Sequence, residues 1–191
     1  IFIKIRAILR SKLQLFSLKF KKLDDIKKKY IFITLHVQPE ASIDVVGSKY
    51  SNQIEFIRNI ANTTPDEYYI LVKEHSHAIG NRENSFYKKL QQIRNVILLH
   101  PSESSRKAIQ KSSLVISNTG TSSLEACILE IPSVTATSMF YNQAMIRKSF
   151  NPNEEKVSEL LKEFKKMDKV NLMYHLEKIY EGSFEGNCGD F

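Results

Sequence analysis

The stretch Leu114-Val-Ile-Ser-Asn-Thr-Gly-Thr-Ser-Ser-Leu-Glu-Ala126 carries the chain from a strand straight into a helix. Leu114–Ser117 is a short apolar run rich in β-branched residues, the pattern of a strand buried on both faces. Thr121–Glu130 opens with hydroxyl residues and continues as a short helix. Upstream the same alternation recurs. Strands are predicted at 30–35, 68–73 and 95–99, and helices at 52–61, 85–93 and 104–111. Downstream a fifth strand is predicted at 132–136, and a charged helical tail at about 154–181 with Gly182 as its stop. Strands separated by helices of about ten residues imply right-handed βαβ units. The expected fold is therefore α/β, a parallel sheet of about five or six strands flanked by helices.

Such sheets bind ligands beyond the carboxyl ends of their strands, where the strand order reverses. The loops to inspect follow Leu35, Lys73, Leu99 and Ser117. The last of them carries the clearest signal. Gly120 lets backbone approach a ligand closely, and Thr121, Ser122 and Ser123 offer hydroxyls beside helix N–H groups, an arrangement suited to an anion. The same hydroxyls would also N-cap the helix, with Glu125 favourable in its first turn. Glu125 would then lie within reach of a ribose. No Walker loop or GxGxxG is present. In the first loop, His36-Val-Gln-Pro-Glu-Ala-Ser42, Gln38 and Glu40 can hydrogen-bond a sugar, and Glu40 can also move a proton. An ordinary helix entry bent by Pro39 explains that loop equally well. In the second loop His75 can donate to a phosphate or exchange a proton near neutral pH, although an exposed loop histidine is the commoner case.

Composition narrows the classes. The chain has 191 residues, of which 42% are hydrophobic and 26% charged, so disorder and fibrous repeats are excluded. Cys127 and Cys188 supply neither a disulfide framework nor a thiolate metal site. The five histidines show no HExxH spacing, and metal is not expected. The net charge of +7 belongs to one segment: residues 1–29 hold ten Lys or Arg against two Asp, while the rest hold 18 basic and 19 acidic residues. A nucleic-acid partner is therefore not expected. Residues 1–29 form a basic segment with apolar residues interleaved. It reads as a connecting helix packed on another domain, with contact to an anionic membrane surface as the alternative. Its charges rule out a signal peptide, and no run reaches transmembrane length. Residues 30–150 make the ligand-binding domain and 151–191 the helical tail.

Taken together, His36–Ser42, Asn52-Gln53, Val72-Lys-Glu-His75, Phe86-Tyr-Lys88 and Thr119-Gly-Thr121 with Glu125-Ala126 resemble the bacterial capsule polysaccharide biosynthesis family. The resemblance covers residues 30–142 in the family's order and approximate spacing. It departs at Ser76, where the family usually has proline, and at Ser123-Leu124, where Gly-Trp is frequent. The family includes Kdo transferases resembling GT-B glycosyltransferases, two Rossmann-like domains with the active site between them. The resemblance implies that this chain is the carboxyl-terminal half, which binds the nucleotide sugar, while an amino-terminal domain supplies the acceptor site. The donor is expected to be CMP-linked Kdo, and the acceptor a capsule polysaccharide or glycolipid. His75 and Glu40 are implied as catalytic. Gln38, Thr119, Gly120, Thr121, Ser122, Ser123 and Glu125 are implied as donor-binding, with no metal or other cofactor. The expected location is the cytoplasm, including the inner membrane's surface. Two rival readings stand beside this one: a sugar-nucleotide epimerase, and a non-catalytic polysaccharide-assembly module, which Ser76 favours.

Overall fold

The computed structural model describes residues 2–75, 78–145, 147 and 149–164. Six strands, β1 (Phe20–Lys21), β2 (Tyr30–Thr34), β3 (Tyr69–Lys73), β4 (Val96–Leu99), β5 (Leu114–Ser117) and β6 (Ser133–Thr135), form one sheet. Its order is β1-β4-β3-β2-β5-β6, and every pair is parallel. The helices are α1 (Phe2–Ser17), α2 (Gln53–Thr63), α3 (Asn84–Gln91), α4 (Ser105–Gln110), α5 (Ser122–Ile128) and α6 (Val157–Phe164). The expected Rossmann-like α/β fold is observed, and the five strands read from the sequence all form within two residues of their expected ends.

The strands alternate between two apolar layers. Ile31, Ile33, Ile70, Val72 and Ile116 face Phe56, Ile57 and Ile60 of α2, Leu90 of α3 and Leu160 of α6. Phe32, Leu71 and Val115 face the other way, against Ala108 and Ile109 of α4 and Ala126 of α5. Fully burying side chains of this size contributes roughly 1.5–3 kcal/mol each, so the doubly covered sheet is where the fold's stability is concentrated. Helix starts follow local chemistry. The Asn52 side chain accepts the Glu55 N–H (3.2 Å) at α2, and Ser104 accepts the Lys107 N–H (3.3 Å) at α4.

One strand is added to the five expected. β1 lies within the basic segment and adds a parallel edge strand beside β4, with Phe20 opposite Leu98. Leu18 and Leu23, on either side of it, are buried in the two layers. A two-residue strand has no period to read, so only its neighbours reveal it. The tail begins as α6; the remainder of the helix expected up to 181, and its Gly182 stop, lie outside the described residues. Among the described residues no helix is long and apolar enough to cross a membrane.

The chain proceeds from β2 outward through β3 to β4, then returns to β2's other side to lay down β5 and β6. The strand order thus reverses between β2 and β5. Thr34 pairs with Lys73, Lys73 with Leu99, and the Ile31–Leu114 register continues to set Thr34 beside Ser117. All four inspected loops therefore leave from one sheet edge.

Candidate functional site

A cleft of about 380 Å³ opens at that reversal, within the roughly 300–1,000 Å³ typical of ligand pockets. Its walls come from the ends of β2 and β3 and from the turn between β5 and α5. Glu40, His75, Thr119, Gly120, Thr121, Ser122 and Glu125, all singled out in the sequence, line it. His36, Lys73 and Glu74 line it too. Gln38 and Ser123 do not. The Gln38 amide donates to Asp44 Oδ1 (2.7 Å) and to the Ser51 carbonyl (3.2 Å), while its oxygen accepts from Gln53 (2.6 Å). Ser123 is fully buried, sharing a hydrogen bond with Ser117 (2.8 Å) and donating to the Val134 carbonyl (2.8 Å).

The β5–α5 turn is held rigid from behind. Tyr141 donates its hydroxyl to the Thr119 and Gly120 carbonyls at 3.2 and 2.9 Å, and Ser117 also donates to the Gly120 carbonyl (3.0 Å). Asn118 donates to the Gly47 carbonyl (2.9 Å), and there a Cβ would stand 2.5 Å from the Asn118 nitrogen. The expected hydroxyl capping of α5 does not form. Thr121 makes no side-chain cap bond, Ser122 hydrogen-bonds Thr34 (2.9 Å), and Ser123 points into the core. The short helix leaves only one of its hydroxyls facing the core, and that phase cannot be read from three adjacent hydroxyl residues.

Gly120 has a specific neighbour. A Cβ there would lie 3.3 Å from His36 Cε1, so the missing side chain lets the imidazole pack on the turn. His36 is anchored by its backbone: its N–H donates to Gln53 Oε1 (2.8 Å), and its carbonyl accepts from Gln53 Nε2 (3.1 Å) and from Arg82. Burial lowers its pKa below the ordinary histidine value, with smaller depressing effects from His75 and Arg82 and an opposing one from Glu40. The imidazole is therefore neutral near pH 7. Its Nε2 is buried without a hydrogen-bond partner, and so is Thr119 Oγ1. Buried polar atoms in native proteins are rarely left unpaired. Two such atoms on one cleft mark a place where a ligand's polar groups would be satisfied.

Behind the β3 end, Glu74 is 3% exposed. Its Oε1 accepts the His75 N–H (2.7 Å), and its Oε2 accepts Arg82 Nε and the Tyr87 hydroxyl, both at 2.8 Å. Burial raises the Glu74 pKa, and Arg82 with these hydrogen bonds opposes the rise. His75 itself is exposed at the cleft. His77 lies outside the described residues, and among those described no group of three or more potential metal ligands occurs.

His36 and Lys73 are cleft residues that no sequence motif singles out. His36 is the second residue past a strand at the reversal point, and that position alone was the signal available for it.

The parallel sheet, with an open polar cleft at its reversal point, defines a Rossmann-like domain. The chain belongs to the capsule polysaccharide biosynthesis protein family, whose model matches residues 4–184. Among solved structures, a beta Kdo 2,7 transferase, Thermosulfurimonas dismutans KpsC, is 20% identical at a TM-score of 0.53, covering 82% of this chain and 50% of that one. An OtsA apo structure is 11% identical at a TM-score of 0.51, covering 83% and 41%. A Methanocaldococcus jannaschii UDP-GlcNAc 2-epimerase, in complex with UDP-GlcNAc and UDP, is 15% identical at a TM-score of 0.49, covering 91% and 48%. At identities this low, the two neighbours with TM-scores above 0.5 speak for the fold alone. The chain spans half or less of the length of these structures. No curated protein matches it.

Proposed function

We propose that this chain is the donor-binding half of a glycosyltransferase, moving a sugar from a nucleotide donor to a capsule or surface polysaccharide or glycolipid acceptor. Kdo is the proposed sugar and CMP the proposed leaving nucleotide. The observation that carries the reading is the cleft at the strand reversal, with Thr119 Oγ1 and His36 Nε2 buried and unpaired on its walls. Membership of the capsule polysaccharide biosynthesis family supports it.

In glycosyl transfer the bond between the sugar's anomeric carbon and the phosphate oxygen breaks, and negative charge develops on the leaving phosphate. Donors preorganised around that charge accelerate the step without a metal. The turn from Thr119 to Ser122 and the exposed His75 are assigned that role. Glu125, exposed beside the turn, accepts from ribose hydroxyls, and Glu40 faces the donor sugar or its acceptor. The acceptor site is assigned to a second domain outside this chain. Contact with an anionic membrane surface is assigned to α1, whose exposed Leu13 and Phe16 neighbour Lys12 and Lys19. Liposome binding that ignores anionic lipid would remove that assignment.

A thermal-shift screen of CMP, UDP, GDP and ADP tests the donor. CMP at a hundred times its dissociation constant should raise Tm by about 5–10 °C. A uridine preference would transfer the site to epimerase-type chemistry, and no response to any nucleotide would overturn the donor reading.

A further inference from the structure

Lys73 ends β3 at the cleft and is only 7% exposed. Among the described residues its ammonium makes no hydrogen bond or ion pair. Its Nζ is not among the buried atoms left without a partner, so the stem is buried while the ammonium reaches the solvent of the cleft. Glu74, the adjacent acid, acts on it electrostatically but is already committed. Its oxygens take Arg82, Tyr87 and the His75 N–H. Lys73, Arg82 and Glu74 together therefore leave one positive charge unpaired at the cleft. Glu40 and Glu125, the other acids of the cleft, are exposed and form no ion pair with Lys73. Burial lowers the Lys73 pKa, and the neighbouring Glu74 carboxylate opposes the fall.

A second observation lies in the same cleft. Thr119 is 4% exposed, and its Oγ1 has no partner. A cation without a partner in the protein and an unpaired buried hydroxyl in one cleft describe a site for an anion with several acceptor oxygens. We propose that Lys73 and Thr119 form a phosphate subsite, the ammonium supplying the countercharge and the Thr119 hydroxyl a hydrogen bond. The subsite moves the principal phosphate contact from His75 to Lys73. It rests on the nucleotide-sugar reading only for the molecule that carries the phosphate.

The test is calorimetric titration of pyrophosphate, CMP and cytidine into the 191-residue chain, comparing wild type, Lys73→Met, Lys73→Arg and Thr119→Val. In Lys73→Met the affinity for pyrophosphate and CMP should fall roughly 10- to 150-fold, the effect of losing one charged hydrogen bond. Cytidine, which has no phosphate, should bind both proteins alike. Lys73→Arg should keep most of the affinity, and Thr119→Val should lose roughly two- to tenfold. Because the Lys73 ammonium has no partner in the protein, the Tm of Lys73→Met should match wild type within about 2 °C. Unchanged pyrophosphate and CMP affinity in Lys73→Met would overturn the subsite. A Tm below that range would overturn it as well, by making Lys73 a structural partner of Glu74. Wild type that binds no phosphate-bearing probe would also overturn it. Wild type that binds pyrophosphate but no nucleotide would sink the donor reading instead, leaving the subsite to stand or fall on the Lys73→Met comparison.

Discussion

The cleft has two polar regions that look alike in sequence and differ in how their hydrogen bonds close. One is a web behind the β2 and β3 ends. Gln38, Asp44 and Gln53 bond one another and the backbone, and Glu74 ties Arg82, Tyr87 and the His75 N–H together. Every polar group named there has a partner inside the protein. The other is the cleft wall, where Thr119 Oγ1 and His36 Nε2 are buried without one. A closed network stabilises the fold and offers nothing to a ligand, whereas an open one is costly until a ligand closes it. Substitutions in the first region should therefore cost stability, and substitutions in the second should cost affinity.

The largest expected effect falls in the closed web. Glu74→Ala strands the Arg82 guanidinium, only 12% exposed, without its carboxylate. Breaking a buried pair by removing one partner typically costs about 3–5 kcal/mol. Chemical denaturation should report a loss of that size, and a loss below about 1 kcal/mol would mean that water already reaches the pair. On the other side, Glu125→Ala removes an exposed carboxylate that touches neither core layer. Stability should stay within about 0.5 kcal/mol, while CMP affinity falls roughly 10- to 150-fold. Unchanged affinity, with wild type binding well, would place the ribose elsewhere.

The division between the two regions explains what could be read before the structure. β5 was legible to the residue, because four consecutive apolar or small residues sit between polar loops and its burial is local in the pattern. β1 was not, since Phe20 and Lys21 become a strand only through pairing with Leu98 and Leu99. Of the candidate site residues, those at the β5–α5 junction were legible because glycine and hydroxyls at a strand end have a chemical meaning by themselves. Which hydroxyl faces the cleft depends on the phase of α5, so Ser122 and Ser123 could not be told apart. Lys73 was invisible for another reason. Its isolation depends on Arg82, nine residues on, having already taken Glu74, and no local spacing encodes that.

Gly120→Ala sharpens the boundary between the regions, because Gly120 touches both. Its φ is not in the left-handed range, so alanine causes no backbone strain, but the new Cβ would stand 3.3 Å from His36 Cε1 and 3.6 Å from Nε2. The ring must yield by a few tenths of an ångström, or the turn must. Crowding at the mild end costs about 1 kcal/mol. If His36 contributes to the open wall, that displacement should appear as roughly fivefold weaker CMP binding with little loss of Tm. Weaker stability with unchanged binding would move His36 into the closed web.

Gln38→Ala should have the smallest effect on binding, and it is the cleanest way to break the comparison. The sequence pattern and the family resemblance both aim Gln38 at the sugar, while the structure spends its amide on Asp44, Ser51 and Gln53. Those contacts are exposed or half-buried, so their removal should cost no more than about 1 kcal/mol of stability. The effect should be greater above the Asp44 titration than below it. The Gln38 amide and the Glu40 N–H hold the Asp44 carboxyl below the usual carboxylate range, and protonation weakens both bonds. CMP affinity should change less than about twofold, within the scatter of surface substitutions. Transfer activity in a two-domain protein is the stricter readout. If Gln38→Ala lowers it tenfold or more while denaturation shows little change, Gln38 leaves its loop to meet the sugar. The web would then not be closed when substrate is bound, and the partition between structural and ligand-facing polar groups would fail at the residue where the sequence first suggested a contact.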